Sequence, residues 1–326
     1  MNQLQEKNRI NWIDITRGIG IFLVVLGHTY RNNWLLVWIT SFHMPLFFIL
    51  SGWLRGCNRK AEKWTSFVHR KTQAFLVPLF IFGVLTYVYW IVVESRFRAY
   101  DLGPMWFLIA LFVAEIISEL VVNFTGICGV IVTIAISGGG LYICSLGMEA
   151  TTIFAWIPRC LGATLFYLIG VLISKYKEVG GMISGKIKFV VPILMIVSIV
   201  LSQINGRVDL YFLVFQNYGL YLLTGVIGSV CIYGLAQAIE KNRGLEYIGE
   251  YSIIILCTHE QIKRVIIYVL SMISHVSGEQ LRNNIIMGLV IAVVVLLIEL
   301  VVIWIVKHIA TALKNTKLKW MVAFVK

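Results

Sequence analysis

Long apolar runs separated by short polar segments make up most of this 326-residue chain. A helix of about 20 apolar residues spans a bilayer. Ten segments of that kind lie near residues 11–30, 34–54, 73–93, 104–123, 126–145, 152–174, 188–205, 210–237, 247–270 and 284–306. The pattern predicts an all-α polytopic membrane protein with about ten transmembrane helices, in which residues 1–313 form one transmembrane domain.

Composition supports this fold class, because 59% of the residues are hydrophobic and only 13% are charged, which is too apolar for a soluble domain of this size. The net charge of +12 would suit nucleic acid, but its distribution points elsewhere. Of the 28 Lys and Arg residues, 19 fall in the terminal segments and alternate loops, and five fall in the opposite loops. The positive-inside rule then places both termini in the cytoplasm and leaves no reason to expect a nucleic-acid partner.

The C-terminal residues 314–326 carry four lysines together with Trp320 and Phe324. We predict a basic cytoplasmic tail that lies on anionic membrane lipids. The six cysteines are scattered, without ligand spacing, so neither a disulfide framework nor a metal site is expected. The expected location is the cell membrane, with several passes through it.

The first predicted helix carries ionisable residues that a simple anchor would avoid. Arg17 and His28 are eleven residues apart, which is three helical turns to within about 20°, and Asp14 lies within about 60° of both. All three therefore share one face, and the cost of a charge in the bilayer, at least ~2.5 kcal/mol, predicts that this face looks into the bundle. Asp14 is expected to pair with Arg17 at a spacing of three residues. A purely structural pair with a satisfied histidine is the alternative.

These residues, with Phe47-Phe48-Ile-Leu-Ser51-Gly52-Trp53 on the second helix, resemble the acyltransferase-3 family of membrane acyltransferases, in particular its fucose 4-O-acetylase-like branch. The resemblance extends over nearly the whole chain and implies acetyl-CoA as the acyl donor. Two positions depart from the family pattern. Trp53 stands where the family has Phe or Tyr, and Gln73 and Ala74 stand where a second arginine is expected before Pro78.

Residue counting places a basic cluster near the cytoplasmic face. Ser51 lies about 25 Å along the second helix from its outer end, which is the depth of Arg17, and Arg70 and Lys71 end the basic loop before the third helix. Guanidinium groups bind phosphate oxygens bidentately, so this cluster is a candidate site for the phosphates of coenzyme A. Lys71, or Arg59, Lys60 and Lys63 in the loop, are candidates to replace the missing arginine. The alternative for the loop charges is membrane topology alone.

His28 lies about 16 Å along the helix from Arg17, toward the outer half of the membrane. An imidazole there could act as general base for an acceptor hydroxyl, or could itself be acetylated first. Asp14 is about 21 Å away along the helix and cannot orient the ring. Glu115 has the best depth for a catalytic carboxylate partner, and Glu299 lies deeper; either could instead be structural.

Four further residues are candidates for contact with the acceptor. His43 precedes Pro45 near mid-membrane, and His259 lies in a segment that resembles a late family motif. Trp106 belongs to a Trp-Phe-Leu sequence that also matches the family, and Arg159 lies near the start of the sixth predicted helix. Each has a plain structural alternative, as a satisfied core histidine, an interfacial aromatic residue or a buried cation.

The sequence thus favours an integral membrane O-acyltransferase that moves an acetyl group from cytoplasmic acetyl-CoA to a hydroxyl of an extracytoplasmic glycan or lipid-linked sugar. A transporter or flippase without covalent chemistry would also explain buried polar groups, but the internal repeats typical of such proteins are not visible. A membrane sensor that works through its tail and basic loop is the third possibility.

Overall fold

A computed structural model describes residues 11–31, 33–58, 62–95, 102–175 and 187–325. The helices are α1 (Asn11–Thr29), α2 (Asn33–Cys57), α3 (Trp64–Lys71), α4 (Val77–Val92), α5 (Trp106–Phe124), α6 (Gly126–Ser145), α7 (Trp156–Ser174), α8 (Ile187–Asn205), α9 (Tyr218–Ile239), α10 (Arg243–Glu250), α11 (Ser252–Ser274), α12 (Gly278–Asn283) and α13 (Ile285–Leu313). Two short strands, β1 (Val208–Asp209) and β2 (Val214–Phe215), pair antiparallel. A π-helical turn, Thr72–Leu76, joins α3 to α4.

Eight helical segments of the described chain are long and apolar enough to cross a membrane. They contain α1, α2, α3 with α4, α5, α6, α7, α9 and α13. The apolar part of α8 is shorter, and α11 is interrupted by charged residues. The prediction of an all-α polytopic membrane protein is confirmed.

Three predicted boundaries were wrong. The third segment begins at Trp64 and not near residue 73, because α3 continues through the π-helical turn into α4. The eighth begins at Tyr218 and not near 210, because Gly206, with a φ of +77°, ends α8 and the chain forms a hairpin first. The ninth is broken at Tyr251, whose φ and ψ of −101° and 19° are outside the helical region.

Helix α2 lies at the centre of the bundle, packed against α1, α7 and α9. Its side chains Phe42, Leu46, Phe48 and Ile49 are almost completely buried. By contrast, only 17% of the residues in an 18-residue apolar stretch of α6 are buried, and 28% of those in the corresponding stretch of α13. The value for α1 is 67%. The polar helix α1 is therefore interior and the most apolar helices are peripheral, which is the order a lipid environment requires.

Glycines set the closest approaches around α1 and α2. A Cβ atom on Gly18 would lie 2.2 Å from the carbonyl oxygen of Leu245, and one on Gly249 would lie 1.9 Å from that of Asp14. The α2–α7 crossing is equally tight, because a Cβ on Gly52 would lie 1.9 Å from the carbonyl oxygen of Tyr167. Small residues let membrane helices approach backbone to backbone, so these glycines fix where the polar faces of α1 and α2 meet.

Candidate active site

A cavity of about 780 Å³ opens between α1, α2, α3, α5 and the break that separates α10 from α11. Arg17, Ser51, Arg70 and Lys71, which residue counting placed at one depth, all line it. The volume lies within the range of small-molecule sites, roughly 300–1,000 Å³. Arg59 and Lys60 lie outside the described residues, and Lys63 does not line the cavity.

Arg55 also lines the cavity and was missed from the sequence. Its Nη2 lies 2.7 Å from a carboxylate oxygen of Glu119, and its Nη1 lies 3.5 Å from Glu62. The sequence did carry a signal, because Arg55 follows Ser51 by four residues and so shares its helical face.

The cations surround one buried aromatic ring. Phe67 of α3 is 1% exposed, and its ring centroid lies 5.0 Å from the guanidinium carbon of Arg55, 5.5 Å from that of Arg70 and 5.7 Å from the Nζ of Lys71. Cations over an aromatic face are attracted by its negative quadrupole. Phe67 therefore helps to hold three like charges side by side.

Carboxylates partly balance this charge. Glu62 lies 2.5 Å from the Nη2 of Arg70, whose side chain is half exposed. That hydrogen bond, reinforced by the charges of Arg70 and Arg55, lowers the pKa of Glu62 and keeps it ionised at neutral pH. The interaction is nevertheless accessible to solvent, so an incoming anion can compete with Glu62 for Arg70.

The prediction that Glu115 is the carboxylate partner of His28 was wrong in its geometry. Glu115 is buried and forms an ion pair with Lys71. The reason is that α3 begins early and carries Lys71 into the bundle, where the buried ammonium needs a counter-charge. Glu299 is also elsewhere, 2.8 Å from the hydroxyl of Thr258.

The partner of His28 is Glu260, with 3.5 Å between His28 Nδ1 and Glu260 Oε2. Glu260 also accepts hydrogen bonds from Lys263 Nζ at 2.6 Å and from Arg264 Nε at 2.9 Å. The ring of His259 lies edge-on to that of His28, at a centroid distance of 5.1 Å. The sequence placed Glu260 directly after His259, and only the rotation of α11 against α1 shows that it faces His28.

His259 is fully buried, and its Nδ1 lies 2.8 Å from the carbonyl oxygen of Ile255. Its Nε2 has no hydrogen-bond partner among the described residues. Ligand atoms of His28, His259 and Glu260 all lie within 4.8 Å of one another, a spacing that could suit a metal ion. Both oxygens of Glu260 already face cationic side chains, and that opposes a further positive charge.

The two polar regions lie on one face of α1. Arg17, Ile21 and Val24 line the cavity, and His28 lies one turn beyond Val24. The other walls along this face are apolar, with Met44, Phe47, Phe107, Leu108 and Ile254 among them. The cavity thus extends along α1 from a cationic end at Arg17 to Val24, one turn short of His28, whose side chain is 40% exposed.

Asp14 pairs with Arg17 as predicted, with 3.3 Å between Arg17 Nη1 and Asp14 Oδ1. His43 lies close enough to His28 for the two rings to interact electrostatically, and its Nδ1 lies 2.9 Å from the carbonyl oxygen of Ile39. His43 does not line the cavity.

The predicted acceptor contacts of Trp106 and Arg159 find no support in the geometry. Arg159 is buried and donates to the carbonyl oxygens of Tyr211 and Ala150, both at 2.8 Å from Nη2. The Trp106 ring packs against that of Tyr211 at 5.6 Å. Both residues therefore contact Tyr211 in the turn between β1 and β2.

The tail also departs from the prediction, because part of it packs on the protein. The ring of Phe324 lies 6.0 Å from that of Phe82 in α4, and Ala323 and Phe324 line the cavity. Trp320 is 45% exposed and remains available to lipid.

A family model described as an acyltransferase domain, Acyl_transf_3, matches residues 10–307. No match to the chain was found among curated proteins or among solved structures.

Proposed function

Because the chain belongs to the acyltransferase-3 family, we propose that this multi-pass membrane acyltransferase transfers an acetyl group from cytoplasmic acetyl-CoA to a hydroxyl group of an extracytoplasmic glycan. The observation that carries the proposal is the cavity, which has four basic side chains at one end and an apolar wall that reaches Val24, one turn of α1 before His28. Its expected location is the cell membrane.

The basic end of the cavity suits coenzyme A, whose phosphates and thioester need opposite environments. Arg17, Arg55, Arg70 and Lys71 offer donors for phosphate oxygens, and Ser51 adds a hydroxyl. Arg70 is the most exposed of these cations that are paired with carboxylates. Replacing its ion pair with Glu62 by one with a phosphate therefore loses the least free energy. The apolar wall of the cavity can then hold the pantetheine arm as it extends toward His28.

We assign the role of general base to His28. Its Nδ1 faces the carboxylate of Glu260, which leaves Nε2 for the acceptor. As the acceptor oxygen attacks the thioester carbonyl, Nε2 takes the hydroxyl proton, and Glu260 stabilises the resulting imidazolium. The carbon–sulfur bond then breaks, and the proton passes to the thiolate of coenzyme A. An acetyl-histidine intermediate is the alternative route, and rapid quenching with donor alone distinguishes the two.

The resemblance of Asp14, Arg17 and His28, with the segment 47–53, to the fucose 4-O-acetylase-like branch of the family supports a sugar hydroxyl, free or lipid-linked, as the acceptor. This assignment rests on resemblance. The chemistry of the proposed transfer is the same for any alcohol.

The test is the variant His28→Ala in purified full-length protein. Loss of a general base predicts a ~10²- to 10⁴-fold fall in acetyl transfer, while acetyl-CoA binding is retained. His308→Ala is a matched control, since His308 is exposed at the far end of α13. Near-normal transfer by His28→Ala would refute this assignment, and His259 or His43 would then be the candidate general base.

A further inference from the structure

Two arginines converge on the outer end of α1, next to His28. Arg282 in α12 donates from its Nη2 to the carbonyl oxygen of His28 at 2.7 Å. The carbonyl oxygen of Arg282 in turn accepts a hydrogen bond from the backbone N–H of Arg31 at 2.9 Å. The first contact fixes the Arg282 guanidinium beside the end of α1, and the second is a backbone contact that holds Arg31 next to Arg282.

Neither guanidinium group has a carboxylate partner within ion-pair distance among the described residues. Glu260 is occupied by Lys263 and Arg264, and Glu94 faces Arg264 at 3.5 Å. The Nε of Arg282 is buried and has no hydrogen-bond partner in the described part of the chain. Burial, and then the neighbouring charge of Arg31, lower the pKa of Arg282. Glu260 and Glu279 offset this charge through space, without an ion-pair contact to either guanidinium group among the described residues, and two adjacent arginines so placed favour an anion between them.

The placement also runs against the distribution of basic residues along the chain. Only five Lys or Arg residues fall in the predicted outer loops, and all five are arginine. Topology does not require Arg31 and Arg282 on that side. Arginine in preference to lysine suits a planar, bidentate contact with an oxyanion.

We propose that Arg31 and Arg282 bind a phosphate group carried by the acceptor, so that the substrate of the transfer is a glycan linked to phosphate or diphosphate. The inference rests on the proposed function, because it takes His28 as the place where the acceptor hydroxyl reacts. A phosphate monoester or a diphosphate diester carries two negative charges and balances both guanidinium groups, whereas a carboxylate or a phosphodiester carries one. A phosphate held beside the His28 carbonyl brings the hydroxyl groups of the attached sugar to the imidazole.

Direct binding tests the site without depending on turnover. Full-length protein in neutral detergent is saturated with coenzyme A, which occupies the inner phosphate site, and is then titrated with dodecyl phosphate by isothermal calorimetry. Arg31→Gln should weaken binding ~10-fold or more, the scale of a charge-assisted hydrogen bond. Arg31 carries the test because its side chain is exposed, whereas Arg282 also supports His28. Arg207→Gln is the matched control, an outer arginine near Asp209 whose loss should leave the affinity unchanged.

Two further ligands define the chemistry. If inorganic pyrophosphate binds at least as tightly as dodecyl phosphate, the phosphate belongs to a soluble sugar phosphate. If dodecyl phosphate binds more tightly, the acceptor is lipid-linked. Either result supports a phosphate site. Equal affinity for laurate, or an unchanged affinity in Arg31→Gln, would overturn the proposal. The transferase assignment is tested separately, by acetyl transfer in His28→Ala. The phosphate site can therefore be refuted while the transferase assignment is supported, and the transferase assignment can be refuted while phosphate binding is supported.

Discussion

Replacing Gly52 by alanine should damage donor binding through the backbone, although glycine has no side chain to contribute. The added Cβ would lie 1.9 Å from the carbonyl oxygen of Tyr167 and 2.8 Å from its carbon. Ordinary contacts begin near 3.4 Å, so α2 and α7 must separate locally by about 1.5 Å. Both obstructing atoms belong to the backbone, and no change of side-chain rotamer relieves the clash.

The displacement falls between Ser51 and Arg55, which line the cavity. Misplacement by about 1 Å can reduce turnover ~10²-fold, and overpacking a buried contact destabilises by ~1–3 kcal/mol. We therefore expect Gly52→Ala to lose most acetyl transfer and to bind acetyl-CoA more weakly, as measured by calorimetry on the folded, monodisperse fraction.

Gly83→Ala is the matched control, because a Cβ there meets nothing within 4 Å. This substitution lies in the interior of α4 and should leave donor affinity unchanged while stabilising the helix by ~0.5–1 kcal/mol. If Gly52→Ala binds and transfers like Gly83→Ala, the α2–α7 approach does not position the donor site, and the reasoning from glycine contacts fails.

Three further predictions test the charges. Arg70→Ala and Arg17→Ala should each weaken acetyl-CoA binding by ~1.5–3 kcal/mol, and unchanged calorimetric affinity in both would assign the cluster to topology alone. Glu62→Gln should tighten acetyl-CoA binding several-fold by releasing Arg70. Because the pKa of Glu62 is lowered, its ion pair is complete above the ordinary glutamate value and is lost only as pH falls through the lowered one, so the wild-type protein should approach the variant's affinity only in acid. For topology, Arg207→Cys should react with an impermeant thiol reagent in intact cells and Lys241→Cys should not; the opposite result would reverse the orientation.

Depth along the membrane was the part of the site that sequence could predict. A helix rises 1.5 Å per residue, so residue counts alone bring Arg17, Ser51 and Arg70 to one level. Asp14 and Arg17 were predictable for the same local reason, since they are three residues apart on one helix.

Partners between helices were not predictable, because they depend on how each helix is rotated about its axis. Glu115 has a suitable depth for His28, yet its side chain is directed at Lys71. Glu260 was overlooked beside His259, because consecutive residues on a helix differ by about 100° in direction and the sequence does not show that both contact His28. The hairpin at Val208–Phe215 was not predicted, because it lies within an apolar run of the sequence. Gly206 and the turn formed by Asp209 were the available signals.

The position of Arg55 accounts for the arginine that the family pattern has on the third membrane helix and this chain lacks. Arg55 on α2 reaches the ring of Phe67, which Arg70 and Lys71 also contact. A cation that one helix lacks is thus supplied by its neighbour, because what a phosphate requires is positive charge and donors at one place in space. Gln73 and Ala74 therefore alter the motif without removing the cationic end of the cavity, and Arg55 should matter for donor binding as the family's second arginine would.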